Sequence, residues 1–96
     1  ITSSEKFLRD FGFKDQMQRA AVSIPSNIAE GDESGTNKMS IRYFYTAKGS
    51  VAELQTQIII ANEIGYIETS MKYELMKECD MVSIMLNRII KARSLK

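Results

Sequence analysis

The apolar side chains divide the chain into three long periodic segments. The middle segment has the clearest pattern, because its apolar residues are spaced alternately three and four positions apart: Phe44, Ala47, Val51, Leu54, Ile58 and Ala61. This spacing places one apolar stripe along a helix, whereas a strand would need an alternation of period two that is absent here. We predict a helix over about residues 37–65, capped by Thr36 or Asn37 and ended by Gly65.

The last segment repeats this spacing and predicts a helix over about residues 69–93, with Thr69 or Ser70 as the N-cap. Its stripe consists of Leu75, Cys79, Val82, Leu86 and Ile89. The segment has more apolar side chains than one stripe requires, namely Met71, Met76, Met81, Ile84, Met85 and Ile90. We therefore expect a second buried face on this helix, against another helix or another subunit.

The first segment is less regular. Its stripe of Met17, Ala21, Ile24 and Ile28 is interrupted by Pro25. Because proline removes a backbone donor and clashes with the carbonyl four residues earlier, we predict a kinked helix over about residues 15–30, preceded by an irregular lead-in over residues 1–13. Residues 31–35 and 65–69 are predicted turns, so consecutive helices should run antiparallel. The predicted fold class is all-α, an antiparallel up-and-down helical bundle that forms a single domain over residues 1–96.

Composition excludes most familiar active sites. Histidine is absent and Cys79 is the only cysteine, which excludes an intrachain disulfide, a zinc site of cysteine and histidine, a Ser-His-Asp triad and a Cys-His pair. No apolar run approaches the ~20 residues of a membrane span, and no signal peptide is visible. We therefore expect a cytoplasmic protein that is not an enzyme, holds no cofactor or metal, and does not associate with a membrane. Cys79 is expected to act as a small apolar side chain on its stripe.

Charge is nearly balanced, with 13 basic and 12 acidic side chains, and does not indicate a dominant field for nucleic acid. One cluster stands out, because four basic residues follow the last acidic residue with no acid among them: Arg88, Lys91, Arg93 and Lys96. Either these cations complement the negative end of the helix dipole and keep the end of the chain soluble, or they contact nucleic acid. We favour the first interpretation and expect nucleic-acid binding to be weak or absent at physiological salt.

Four segments of the sequence resemble the 23S rRNA-intervening sequence protein family, also called four-helix-bundle proteins. They are FGFKDQMQ (11–18), RAAVSIPSNIAEG (19–31), AKGSVAELQTQ (47–57) and ANEIGYI (61–67), and the resemblance extends over roughly residues 11 to 92. It implies a small cytosolic bacterial protein, an up-and-down four-helix bundle and assembly as a homopentamer. It also implies a relation to the accessory protein of diversity-generating retroelements, a basic pentameric barrel that partners a reverse transcriptase and nucleic acid.

Two features differ from the family pattern. The family opens with a whole helix before the residues that correspond to Thr2, and this chain lacks it, so we expect three helices here and the first family helix to be missing. After NIAEG the family usually carries arginine or lysine, where this chain has Asp32 and Glu33. The acidic pair argues against transferring nucleic-acid binding from the family.

Some polar and small residues within the motifs need an explanation. For the polar residues that match the family we favour structural roles near the proline kink, with a ligand pocket as the alternative; they are Arg19, Asn27, Glu30 and Glu53. Two glutamates without histidine are poor evidence for a metal site. Gly49, inside a predicted helix, costs about 1 kcal/mol relative to alanine, so another helix is expected to approach it closely, either in the bundle or between subunits.

These observations together predict a non-enzymatic interaction or scaffold protein that self-associates, in a ring of five, and presents a surface to a further protein partner. The alternative is an RNA- or DNA-binding accessory protein associated with ribosomal RNA or a retroelement. A bundle that binds a small molecule is a third and weaker hypothesis.

Overall fold

A computed structural model describes residues 9–95 of the chain. Those residues form three α-helices, α1 (Phe11–Glu33), α2 (Asn37–Glu63) and α3 (Thr69–Ser94), and contain no strand. The predicted all-α class is confirmed, and α2 packs against both α1 and α3 in a bundle. The part of the predicted lead-in over residues 1–8, and Lys96 of the basic cluster, lie outside the described residues.

Helix α1 is longer than predicted at both ends. It begins at Phe11 because Asp10 caps it, with the Asp10 Oδ1 accepting a hydrogen bond from the backbone N–H of Phe13 at 3.0 Å. At its other end Gly31, Asp32 and Glu33 are helical instead of forming a turn. Gly31 is there because of packing: a Cβ at this position would lie 2.5 Å from Cε1 of the Phe44 ring. The prediction misread a glycine of helix packing as a turn glycine.

Helices α2 and α3 keep close to their predicted bounds. Thr36 caps α2 through its Oγ1, which accepts a hydrogen bond from the backbone N–H of Met39 at 3.2 Å. After α2, Gly65 takes a left-handed conformation with φ of +83°, as expected of a residue that ends a helix. The N-cap of α3 is Glu68, and the predicted caps are wrong, since the Thr69 hydroxyl accepts a hydrogen bond from Asn62 Nδ2 at 3.2 Å instead.

The core lies along the middle of the bundle, where α2 meets both neighbours. It contains the predicted stripes of α2 and α3, with Leu54, Leu75, Val82 and Ile89 half-buried at its border. In α1 the alanine that is buried is Ala20, and the predicted Ala21 is exposed. The buried members of the core cluster are Phe44, Ala47, Val51, Ile58, Ala61, Ile67, Cys79, Leu86 and Ile90.

Gly49 and Cys79 illustrate two different outcomes. No atom of residues 9–95 lies within 4 Å of the position that a Gly49 Cβ would occupy, so the close approach within the bundle occurs at Gly31 instead, and an approach to Gly49 between subunits stays a prediction. Cys79 is buried in the core, and burial is the main cause that raises the pKa of its thiol, with smaller contributions from Asp80 and Glu78. The thiol therefore stays protonated at neutral pH, as its position on the stripe indicates.

None of the helices within residues 9–95 is long and apolar enough to cross a membrane.

Candidate functional site

Polar residues of the family motif at residues 19–31 connect α1 to α2. The Asn27 amide donates hydrogen bonds to the Ser23 carbonyl at 2.8 Å and to the Ser23 Oγ at 3.0 Å. The Ser23 Oγ in turn lies 2.8 Å from the Ser50 Oγ on α2. Asn27 thus supplements the backbone bonding of the turn that contains Pro25, where one intrahelical hydrogen bond cannot form. The Asn27 side-chain nitrogen is therefore used in hydrogen bonds within α1.

The other polar residues of the motifs lie on the surface. Arg19 donates through Nε to Asp15 Oδ2 at 2.8 Å, one turn earlier on the same helix, and both side chains are largely exposed, so this ion pair contributes little stability. Glu30 and Glu53 are both exposed. Within residues 9–95 no three metal-ligating side chains of histidine, cysteine, aspartate or glutamate are grouped to hold an ion.

Arg93 is held differently from the rest of the predicted basic cluster. Its Nη1 donates to the buried Ser40 Oγ at 3.0 Å, and its Nη2 lies 3.6 Å from Asp32 Oδ1. The guanidinium carbon also lies 5.4 Å from the centre of the Phe44 ring. No acid lies near Arg93 in the sequence, and its acidic partner Asp32 comes from α1. Arg93 joins α3 to both other helices.

Next to Arg93 an open groove of about 750 Å³ separates α1 from α3. Most of its lining is apolar, and Arg93 and Asp32 supply the charge. The motif SIPSNIAEG contributes three of the lining residues, so this motif shapes an apolar groove and brings no chemically reactive group to it. The lining consists of Pro25, Ile28, Ala29, Asp32, Asn37, Phe44, Ile89, Ala92 and Arg93.

The structure places some of the additional apolar side chains of α3 against the core and leaves others exposed. Met71 and Met76 pack against the core, and Ile90 is a core residue, so these three are covered within the bundle. Three others remain in solvent, with exposed fractions of 62% for Met81, 52% for Ile84 and 45% for Met85. Ile84 and Met85 lie three and four positions after Met81, so each is a neighbour of Met81 on the surface of α3. We call them the α3 apolar patch.

Arg88 and Lys91 are exposed on α3. The emphasis on the end of the chain missed three basic residues that the fold brings to the same end of the bundle, Lys38, Arg42 and Lys48 of α2. A signal for them is present in the sequence, since residues 37–52 contain no acidic residue.

Comparison with known proteins agrees with the resemblance of the motifs. A family model described as 23S rRNA-intervening sequence protein matches residues 1–88, a range that includes the motif segments, the α3 apolar patch and most of the groove. No curated protein matches the chain significantly. Since the match spans most of the sequence and the helices have the expected order, the chain belongs to the 23S rRNA-intervening sequence protein family.

Proposed function

We propose that the protein is a non-enzymatic, cytoplasmic helical-bundle module that self-associates, as a homopentamer, and presents a surface to a partner. The observation that carries this proposal is the α3 apolar patch. Exposed apolar side chains that are neighbours on one surface are typical of interaction sites, and Met81, Ile84 and Met85 each leave about half or more of their surface in solvent. Burial of these side chains against a second copy would supply the apolar centre of an interface.

The chemistry of the chain supports a role without catalysis. There is no histidine to act as an acid or base near neutral pH. The one cysteine is buried, and burial raises the pKa of its thiol, which disfavours the nucleophilic thiolate. The groove beside Arg93 is mostly apolar, which suits packing better than bond making.

The mass of the purified protein in solution, measured by light scattering, tests self-association. We expect an oligomer, and a pentamer in particular. Met85→Glu should shift the mass towards smaller species, because the interface would bury an unpaired charge. Asn87→Glu is the matched control, since it adds the same charge at an exposed, uncharged position of the same helix. A wild-type protein that remains monomeric at high micromolar concentration would contradict the proposal, and so would equal effects of the two variants.

Ile90→Glu is unsuitable for this experiment. The side chain is only 7% exposed and belongs to the core, so the charge would unfold the chain before it could report on assembly.

The second candidate function is nucleic-acid binding through the end of α3. Arg88 and Lys91 favour it, because both are exposed and no acid follows Asp80 in the sequence. Arg93 weakens it, because its guanidinium is already bound to Ser40 and faces Asp32. A ring of five copies would repeat the two free cations around one axis, so weak contacts could add up.

A further inference from the structure

The net charge of +1 hides a strong separation of charge along the α2–α3 pair. Residues 37–52 and 81–95 together carry six basic side chains and no acidic one, whereas residues 53–80 carry six acidic and two basic side chains. The two basic stretches lie side by side because α2 and α3 are antiparallel, as the hydrogen bonds from Arg93 to Ser40 and from Gln55 to Asp80 show. One half of this helix pair is therefore basic and the other acidic.

The register of the two helices shows which basic residues share a surface. Gln55 Nε2 donates to Asp80 Oδ1 at 2.9 Å, in an exposed position between α2 and α3. Lys48 precedes Gln55 by two helical turns, and Lys91 follows Asp80 by three turns, so each lies on the same side of its helix as its reference residue. Because the helices are antiparallel, both lysines lie in the same direction from this hydrogen bond, by about 10 Å and about 17 Å.

The α2 side of this surface combines cations with an exposed aromatic ring. Tyr45 is 55% exposed, and Lys48 Nζ lies 5.4 Å from the centre of its ring. Lys38 and Arg42 are both exposed, and they lie seven and three positions before Tyr45, which places them on the same side of α2. Next to them Gly49 has open space where a side chain would be, which lets another chain come close to the helix backbone.

The acids that lie at this end of the bundle are on a different helix. Glu30, Asp32 and Glu33 belong to the last part of α1, and Asp32 is directed to Arg93 at the groove between α1 and α3. The Ser23–Ser50 contact places α1 on one side of α2, and the Gln55–Asp80 hydrogen bond places α3 on another. Residues 37–52 and 81–95 supply no acid to the shared surface of α2 and α3.

We propose that this surface binds a nucleic-acid strand; we call it the basic face and define it as Lys38, Arg42, Tyr45, Lys48 and Lys91. Its cations would contact phosphates, and the Tyr45 ring would stack on a base. The exposed ring among the cations favours a nucleic acid over an acidic protein segment, because base stacking on an aromatic side chain needs no particular sequence. From Lys38 to Lys48 the face is about 15 Å long, enough for several consecutive phosphates of one strand. Such binding does not depend on self-association. A negative result in the nucleic-acid titration would therefore leave the proposed self-association standing, and a monomeric mass in light scattering would leave the proposed nucleic-acid binding standing.

The test is a titration of the purified protein against labelled single-stranded RNA, single-stranded DNA and duplex DNA of equal length, at low and at physiological salt. The test variant is Lys38→Gln/Arg42→Gln/Lys91→Gln. The matched control is Lys14→Gln/Lys72→Gln/Lys77→Gln, which removes the same charge from positions outside the basic face. Circular dichroism and the mass in solution confirm that each variant keeps its fold and assembly.

We expect the test variant to lose roughly tenfold or more in affinity at low salt, and the control to lose less than about threefold, since only the first set contacts phosphates. The slope of log affinity against log salt should fall by about 2 units for single strands, at about 0.7 for each lost contact. Tyr45→Ala should weaken single-strand binding by roughly fivefold or more and leave duplex binding nearly unchanged, because only unpaired bases can stack on the ring. The three nucleic acids show which strand type the face prefers.

Three outcomes would overturn the proposal. The first is no binding of any of the nucleic acids at low salt. The second is an equal loss in the test and control variants, which would mean a diffuse attraction with no defined face. The third is displacement of the RNA by polyglutamate of equal charge at equal concentration, which would assign the face to an acidic protein partner.

Discussion

At each end of the bundle an aromatic ring and a side-chain hydrogen bond hold helices together. The two ends differ in how deeply these groups are buried. At one end, the Arg93 end, the guanidinium of Arg93 lies over the Phe44 ring and binds Ser40. At the other, the Tyr66 end, the Tyr66 hydroxyl donates to Asp10 Oδ2 at 2.7 Å, and its ring lies 5.5 Å from that of Phe13.

Phe44 is 1% exposed and lies against Gly31, whereas Tyr66 and Phe13 are only half-buried. The stability that each end supplies should therefore follow the apolar area removed from water more than the number of polar contacts, because a hydrogen bond in a wet site adds little net free energy. The Arg93 end is expected to dominate.

The largest effect should come from the Phe44 ring. Phe44→Ala should lower the free energy of unfolding by about 3–5 kcal/mol, since a fully buried aromatic ring leaves a cavity that its neighbours can fill only in part. Urea titration followed by circular dichroism measures this. The next residue provides the control, because Tyr45 is exposed and Tyr45→Ala should change stability by less than about 0.5 kcal/mol. Similar losses in both variants would contradict the comparison.

A smaller loss is expected from Gly31→Ala, at the same end. The new methyl group would lie 2.5 and 2.8 Å from two atoms of the Phe44 ring, and overpacking of this kind costs about 1–3 kcal/mol. The reference is Gly49→Ala, which meets no atom within 4 Å and should stabilise α2 by up to about 1 kcal/mol. Opposite signs for the two variants, measured by the same titration, are the expected result. A stabilising Gly31→Ala would show that Phe44 can move at no cost.

The polar contacts of Arg93 should contribute less to the free energy of unfolding than the Phe44 ring. Arg93→Met should lower the free energy of unfolding by about 1–2 kcal/mol through the lost hydrogen bond to Ser40. Asp32→Asn should change it by less than about 0.5 kcal/mol, because the Asp32 side chain is 73% exposed and lies 3.6 Å from Arg93. If Asp32→Asn proves as costly as Arg93→Met, the ion pair and not the hydrogen bond holds this end.

The smallest effect should be at the Tyr66 end, and it should depend on pH. The backbone N–H of Phe13, and then the Tyr66 hydroxyl, lower the pKa of Asp10 from its ordinary 3.8. The hydrogen bond to Asp10, followed by burial, raises the pKa of Tyr66 from its ordinary 10.0. The Asp10 contribution is thus present above pH 3.8 and disappears as the pH falls through its lowered pKa, and the Tyr66 contribution is present below pH 10 and disappears above it.

Comparison of the wild type with Tyr66→Phe across this range tests the assignment. The difference in unfolding free energy should be constant between the two ordinary pKa values and should shrink at both extremes. A difference that does not change with pH would mean that the Tyr66 hydroxyl acts through packing and not through Asp10.

The helices were predictable because they depend on local spacing. The α2 stripe of Phe44, Val51 and Ile58 was correct, since a repeat of three and four residues admits one helical face. The end of α1 was not predictable in this way. Glycine favours turns when only its neighbours in sequence are considered, and the reason for Gly31 is a ring on the next helix.

The same distinction between local sequence and contacts between helices applies to the candidate sites. Exposed cations at residues 88 and 91 could be read from the sequence, but the role of Arg93 could not, because Ser40 and Asp32 are more than 50 positions away. The apolar excess of α3 was likewise visible, but its division between the core residue Ile90 and the exposed Met85 depends on how far α2 covers α3.

The sequence by itself determined the helical class, the order of the helices, the family and the absence of histidine chemistry, because each of these depends on residue identity or on spacing within one segment. Only the tertiary structure decided which charges meet. The antiparallel packing of α2 and α3 brings Lys48 and Lys91 to one surface, and the packing of α1 turns Arg93 away from it towards Asp32. Electrostatic fields add over distances in space, so a nearly neutral chain acquires a basic face only when it folds.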